Sequence, residues 1–284
     1  MFGFLNVYKP KGITSHEVVA ILRRTLKIKQ IGHTGTLDPF AEGVLPVCIG
    51  KATRLIEYLN DDKAYIGLVQ FGKSTTTYDI EGVAVNLSNK TVCIEQIEKA
   101  LVSFIGEIEQ LPPIYSAIKV KGKKLYEYAR KNEEVKIEPR KVTIYDLKIL
   151  DYDFENRRLT LYIKCSKGTY IRSLANDLGE KLGVYGYLMA LERVQAGDFY
   201  KENSVKLEKL NTYDAVKNNL INPLEYLVCQ TYEINPKEKE LISHGISIPV
   251  DISDGATALT YKNNITATGF VINNIFKPQK VFIQ

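Results

Sequence analysis

The chain has 284 residues, 45% of them hydrophobic, and a net charge of +5 from 38 basic and 33 acidic side chains. That length carries one large domain plus a small one, and no apolar run reaches the ~18 residues of a membrane span. Four scattered cysteines (Cys48, Cys93, Cys165, Cys229) and three histidines show no metal or redox spacing, so no metal, no cofactor and reduced thiols in the cytoplasm are expected.

The opening MFGFLNVYKPKG has no signal-peptide core or cleavage site. Within it, Phe4 to Tyr8 reads as a short strand that runs into the basic turn Lys9-Pro10-Lys11-Gly12. Ser15 is the expected N-cap of a helix whose apolar face is Val18, Ile21, Leu22 and Leu26. Gly32 to Arg54 follows, GHTGTLDPFAEGVLPVCIGKATR, with Asp38 as the acid of its first half. Glycines at 32, 35 and 43 allow unusual backbone angles or close approach. Pro39 biases Asp38 away from helix. Residue by residue this is turn chemistry. Val44 to Ile49 reads as a buried strand, with Pro46 arguing for an edge or a bulge. Ala52, Leu55, Ile56 and Leu59 mark a short amphipathic helix.

Lys63 to Phe71 is strand-like, and GKSTTTYDIEG after it reads as a loop. Ile94, Ile97, Leu101 and Phe104 repeat at helical spacing. Residues 111–142 interleave Lys119, Lys121, Lys123, Lys124, Arg130 and Lys131 with Tyr115, Tyr126 and Tyr128. Cations for phosphates and aromatics for bases or sugars suit an RNA surface; a charged surface hairpin with half-buried tyrosines has the same composition. Arg158 to Cys165 alternates as a strand. Tyr170 and Arg172 share a face only if 168–172 is extended, so the next helix is expected to start just after Arg172. The pattern weakens from about Asn211, which reads as a link. The last ~55 residues are short strands with turn signals at His244-Gly245, Asp254-Gly255, Asn263-Asn264 and Asn273-Asn274, the pattern of a small β-barrel.

Five separated stretches, in this order, resemble the TruB family of pseudouridine synthases. They are Lys9-Pro10-x-Gly12, the HTGTLDP string around Asp38 with the A-x-GVLPV after it, the Tyr65 strand, SKGTYIRSLANDLG from Ser166 to Gly179, and Leu188 to Phe199. The resemblance implies an α+β pseudouridine synthase fold. Its central sheet is mixed and largely antiparallel, flanked by helices and loops, with a small C-terminal PUA-like β-barrel. The implied division is a catalytic domain at 1–225, with an RNA-gripping insertion at about 111–142, and an RNA-binding domain at 226–284.

The implied activity is isomerisation of a uridine in the tRNA T loop (position 55) to pseudouridine. The C1′–N1 bond breaks, the base turns, and C5 joins C1′, with no metal or cofactor. The family's essential acid maps to Asp38, its arginine partner to Arg172, and its base-stacking tyrosine to Tyr65. Arg172 is expected to keep Asp38 ionised by lowering its pKa. His33 maps to the residue that fills the gap left by a flipped base, and Leu191 to one that packs on the base. Substrate contacts are further implied at Lys9, Asp79, Tyr170, Lys121, Lys123 and Lys124. From the residues alone, Tyr65 and Leu191 equally suit a core. The partner implied is tRNA, its T-arm at the catalytic domain and its acceptor end at the C-terminal domain, with the protein a monomer off the membrane. Glu42 and Glu192 depart from the residues frequent in the family, Thr or Ser and Arg. Two other readings compete: an RNA-folding protein with dispensable activity, and a hydrolase pairing Asp38 with Asp79 or Glu42.

Overall fold

The computed structural model describes residues 1–131 and 133–282. Position 132 of the expected insertion and positions 283–284 of the expected C-terminal domain lie outside the described residues. β1 (Gly3–Lys9), α1 (Ser15–Leu26), β2 (Ile31–His33), β3 (Glu42–Ile49) and β4 (Lys63–Phe71) come first, with a 3-10 segment at Gly50–Tyr58. The hairpin β5 (Lys73–Thr75) and β6 (Ala84–Leu87), then α2 (Ile94–Leu101) and β7 (Gly106–Gln110), lead to the insertion. It holds β8 (Lys119–Val120), β9 (Lys123–Lys124) and α3 (Leu125–Arg130). β10 (Arg140–Asp153), β11 (Arg158–Cys165), α4 (Ile171–Lys181), β12 (Gly186–Ala196), β13 (Phe199–Tyr200), β14 (Val205–Lys206) and α5 (Tyr213–Asn218) follow. The chain ends in β15 (Gln230–Glu233), α6 (Pro236–Ser243), β16 (Ile248–Pro249), β17 (Gly255–Tyr261), β18 (Asn264–Ile272) and β19 (Ile275–Val281).

The main sheet runs β14-β1-β3-β12-β4-β11-β10-β7, with β2 added on β3 and β13 on β12. Only the β1–β14 and β3–β12 pairs are parallel, so the sheet is mixed and mostly antiparallel, as expected. One core packs α2 and α4 through Ile97, Leu101, Leu174 and Leu178 with Val69, Leu161 and Ile163 of the sheet. A second packs Val18 and Leu22 of α1 with Leu45 and Val47 of β3. The last strands form a five-stranded sheet, order β15-β17-β18-β19-β16, curled as a half-barrel. Its own core holds Ile242, Leu259 and Phe276. A seam joins it to the larger body, where Ile265 and Phe282 pack with Phe4, Leu55 and Phe199.

Several local expectations shift by a residue or a class. Thr14, not Ser15, caps α1. Its hydroxyl takes the Glu17 amide while the Glu17 carboxylate takes the Thr14 amide, a capping box. The Ser15 hydroxyl is thereby free to bind both the amide and the carbonyl of Leu37, at 2.8 and 3.1 Å. Pro46 is interior. It sits where the neighbour of β3 changes from β12, paired at Glu42 and Gly43, to β2, paired from Val47. The Thr34 amide donates to the Pro46 carbonyl at 3.1 Å, and the return N–H that proline cannot supply is where the β2 pairing stops. The GKSTTTYDIEG loop is bounded by the β5–β6 hairpin. Helix α6 went unread in the sequence although Asn235, Pro236 and Glu238 form a capping box with proline in the first turn.

Gly43 is the contact that lets β12 approach the Asp38 loop. Its φ is 109°, and a Cβ there would meet the Arg193 carbonyl oxygen at 2.2 Å. Backbone cannot yield as a side-chain tip can. Gly43→Ala is therefore expected to lower unfolding free energy by about 2–4 kcal/mol, read by urea denaturation. A melt superimposable on the parent's would show that the two strands part freely.

Candidate active site

The Asp38 loop, 34–41, joins β2 to β3 and is fixed from below. Ser15 holds Leu37 at both ends of its peptide. Lys9 is fully buried and donates to the carbonyls of Pro10, Ile13 and Pro39 at 2.9, 2.7 and 3.4 Å. Burial lowers its pKa to about 8, against the pull of Asp38. Its three ammonium protons are thus taken by backbone. Lys9 was expected to touch substrate; it is instead a support for the loop, because no part of it reaches the surface.

Arg172 lies in the first turn of α4. The helix starts at Ile171, before Arg172 rather than after it, and Tyr170 is its extended N-cap. The shared face expected of Tyr170 and Arg172 survives, since an extended cap is not bound by helical spacing. The guanidinium meets Asp38 twice, Nε to Oδ2 at 2.9 Å and Nη2 to Oδ1 at 3.4 Å. Nη1 reaches Asp79 at 3.2 Å and the Thr77 carbonyl at 3.3 Å, and Nη2 the Tyr115 carbonyl at 3.1 Å. The four Nη N–H groups are all hydrogen-bonded, and Nε lies in ion-pair contact with Asp38. Asp79 also accepts from the Thr77 hydroxyl and the Glu81 amide. It is only 2% exposed, so it positions Arg172 and does not face substrate as expected.

Asp38 keeps 34% of its side-chain surface open, toward a cavity of about 590 Å³. That volume is within the range of small-molecule and nucleoside pockets. Tyr65, Tyr170 and Leu191 line it, with Tyr115 and Tyr126 from the insertion. Asp38 is the one acid among its described lining residues, beside Lys63, Lys167, Arg172 and Arg193. A hydrolase with paired carboxylates has no second acid here. A cavity of equal volume at the seam is lined by Met1, Gln30, Lys51 and Asn222 among others. Among its described lining residues Lys51 is the only ionisable side chain, with no acid beside it.

Burial raises the Asp38 carboxyl above its ordinary value. Arg172 pulls it down, as do Lys9 and Arg193, while Asp79 pushes it up. Arg172 acts in the expected direction, but desolvation outweighs it. Burial also pushes the Tyr65 phenol up to about 12, with Arg193 opposing. His33 does not line the cavity; its neighbour Thr34 does. Burial first, then the charges of His16 and Arg193, lower the His33 pKa to about 4. Its ring is neutral near pH 7 and stands edge-on to His16 at 6.1 Å.

The insertion reaches this cavity through Tyr115, Ser116, Ala117 and Tyr126, and Lys121, Lys123 and Lys124 are not among the described lining residues. Lys121 and Gly122 make the β8–β9 turn with positive φ, 49° and 83°. Lys121 and Lys123 are exposed and Lys124 half-buried. Lys124 and Arg130 lie over the Tyr126 ring at 5.4 and 5.3 Å, and Lys123 over Tyr128 at 5.6 Å. Glu42 and Glu192 are register partners across β3 and β12. Lys11 pairs with Glu42 at 3.1 Å, while Lys201 and the Tyr8 hydroxyl serve Glu192 at 2.6 and 2.7 Å, so both departures are neutralised locally. Sequence reasoning missed Ser15 as a loop anchor and Arg193 altogether. The two-residue alternation from Leu191 along a strand was the available signal for Arg193.

Residues 23–171 match the TruB family pseudouridylate synthase N-terminal domain, and residues 172–229 the tRNA pseudouridylate synthase B C-terminal domain. The chain is 47% identical over 252 residues to the tRNA pseudouridine synthase B of Clostridium novyi, covering 87% of this chain and 86% of that one. Identity to the protein of the same name from Caldanaerobacter subterraneus is 44% over 274 residues, 89% of this chain and 95% of that one. A solved Cbf5-Nop10-Gar1 complex matches with a TM-score of 0.73 at 26% identity, over 99% of this chain and 85% of that chain. An H/ACA RNP bound to a substrate RNA containing 2′-deoxyuridine matches with a TM-score of 0.73 at 25% identity, over 100% and 86%.

Arg172→Ala strands a carboxylate in a desolvated loop, which costs about 3–5 kcal/mol for a broken buried pair. Asp38, already above its ordinary value, rises further. The folded-state pKa is then raised, so the penalty is full where Asp38 is ionised and shrinks as pH falls through that pKa. Urea melts of parent and variant at neutral pH and near pH 5 should show the gap narrowing in acid. A gap independent of pH would mean that the loss is packing alone.

Proposed function

The chain belongs to the TruB family of pseudouridylate synthases, and within the uridine-to-pseudouridine isomerisation of tRNA that this entails we propose that Asp38 acts on a T-loop uridine. The observation that carries this reading is the geometry of Asp38. It is one carboxylate, gripped on both oxygens by Arg172 and still open to a cavity lined by tyrosines and cations.

The reaction breaks C1′–N1, leaves the base in the cavity with the bonding pair, turns it, and joins C5 to C1′. The proton on C5 is lost and N1 gains one, so nothing is oxidised or reduced. An ionised carboxylate beside C1′ serves the electron-poor sugar carbon as the base departs. Arg172 holds that carboxylate in one orientation, which removes the rotational freedom it has in water. The Tyr65 ring and Leu191 sandwich the turning base. Tyr170 closes one wall. A base within a folded loop must be extruded to reach Asp38. His33, neutral and next to the loop, is suited to stack in the space left behind.

The T-arm then lies across the cavity mouth, gripped by Lys121, Lys123 and Lys124, with the acceptor end reaching the C-terminal sheet. One copy of the chain carries every group named, so it acts as a monomer. None of the helices among the described residues is long and apolar enough to cross a membrane. All four cysteines are unpaired, which suits work in the cytoplasm.

Asp38→Asn and Asp38→Ala are expected to abolish release of tritium from 5-tritiated uridine in a T-arm stem-loop. Binding should stay within about tenfold, or ~1.4 kcal/mol. Turnover by Asp38→Ala above background would contradict the assignment. Replacing Lys121, Lys123 and Lys124 together with Ala should weaken binding of every stem-loop. The slope of log K against log salt should fall by about 0.7–0.9 per phosphate contact removed. An unchanged slope would leave these lysines as a solvated face.

A further inference from the structure

Arg193 is one of the largest fully buried side chains, at 0% exposure. No carboxylate lies within ion-pair distance of it among the described residues. It contrasts with Arg172, which has a carboxylate on each side and every Nη N–H hydrogen-bonded. Arg193 donates Nε to the Val44 carbonyl at 2.7 Å and Nη2 to the Gly35 carbonyl at 3.0 Å, while its buried Nη1 makes no hydrogen bond among the described residues and the Tyr65 phenol feels its charge. A buried cation without a counter-ion is unfavourable, so its position has to be accounted for.

That position is set by two ladders. Across β12 and β4, Arg193 stands opposite Tyr65 and Leu191 opposite Gly67. Directly opposed residues face the same side of a sheet, and i, i+2 residues of one strand do as well. Arg193, Leu191 and Tyr65 therefore form one floor, and all three line the Asp38 cavity. Across β12 and β3, Arg193 stands opposite Gly43, whose missing side chain admits the Arg193 backbone. Above the guanidinium is Gly35, three residues before Asp38; a Cβ there would be 3.7 Å from Nη1.

We propose that Arg193 is a positioning residue for the isomerisation: its guanidinium ties the loop that carries Asp38 to the strand face that carries Tyr65 and Leu191, and so fixes the gap in which the base turns. This rests on Asp38 being the acting group. The charge of Arg193 also bears on Asp38, favouring its carboxylate. The other groups facing Asp38 are Arg172 from α4, Lys9 from β1, Asp79 and Glu81 from the connection between β5 and β6, Tyr65 from β4, and Tyr170 before α4. Of the cations among them, Arg172 faces two carboxylates and Lys9 gives its protons to backbone carbonyls. Arg193 is the one with no carboxylate opposite it and with only backbone carbonyls accepting from it among the described residues.

Arg193→Met keeps the stem and removes both the charge and the fork. With the gap loosened, the single-turnover rate on a T-arm stem-loop should fall by about 100-fold, the scale of an ångström-sized misplacement, while stem-loop binding changes by less than about threefold. The acidic limb of the pH–rate profile should move to higher pH, because one cation favouring the Asp38 carboxylate is gone. Arg193→Lys restores the charge without the two-carbonyl grip. It should return the limb toward the parent's position and leave the rate reduced by about tenfold. A folded Arg193→Met with parental rate and limb overturns the proposal. So does a loss matching the unfolded fraction with an unmoved limb. If Arg193→Met does not fold, a parental rate in Arg193→Lys overturns it. Asp38→Ala run alongside separates the two claims: activity there removes the role of Asp38 itself, whereas an inactive Asp38→Ala with a normal Arg193→Met removes only this one.

Discussion

The Arg172 guanidinium holds Asp38 on one edge and Asp79 on the other, and three distant segments of chain meet to make that arrangement. The Asp38 loop comes from between β2 and β3, Asp79 from the turn between β5 and β6, and the Tyr115 carbonyl from the insertion. Such a cation is tolerated in a desolvated place only when every N–H is used. Arg172 comes close to that condition, with four hydrogen bonds from its two Nη atoms and the ion-pair contact of Nε with Asp38. The two carboxylates differ in what they can then do. Asp79 is sealed behind the pair, and Asp38 is left facing the cavity.

Two opposing effects set the state of Asp38. The apolar, water-poor loop favours a proton on the carboxyl, and the surrounding cations favour its loss. Burial wins in sign, so Asp38 is less acidic than a free aspartate. That has a chemical use. In the reaction proposed for Asp38, a carboxylate held partly against its preference, and stripped of water, would interact more strongly with the positive character that develops at C1′ than a solvated one. Loop anchors do the mechanical half. Lys9 and Ser15 spend their polar groups on backbone rather than on RNA, which keeps the acid in register with the floor formed by β4 and β12.

Much of this was legible in the sequence, for physical reasons. The apolar and aromatic composition of 63–71 marks a strand, and alternation marks that at 158–165, whose side chains fall on one buried and one less buried face. The Asp38 loop was marked by its glycines and Pro39. What was not legible belonged to the third dimension. Lys9 looks like any basic turn residue, and nothing in KPKG reveals that its ammonium turns inward to three carbonyls. Asp79 sits in a polar stretch that reads as a surface loop, and only the fold brings Arg172 against it. Ser15 and Thr14 are equivalent cap candidates by type; Glu17 three residues after Thr14 decides between them. By type Arg193, in LERVQ, is one basic residue among many in the chain, and only the pairing of β12 with β3 and β4 turns it toward the cavity.

On the proposed function, the ionised Asp38, held by Arg172, is the group whose protonation limits the reaction on its acidic side. The direct measurement is the titration of the Asp38 carboxyl by carbon-13 NMR of selectively labelled protein, set against the pH–rate profile for single turnovers of a T-arm stem-loop, in the parent and in Arg172→Lys. The account predicts that the NMR midpoint of the parent lies above that of a free aspartate and coincides with the acidic limb. In Arg172→Lys both should move to higher pH together, with a lower plateau rate, because an ammonium cannot grip both oxygens. An NMR midpoint that moves while the limb stays, or a Lys variant with parental plateau and limb, would contradict it.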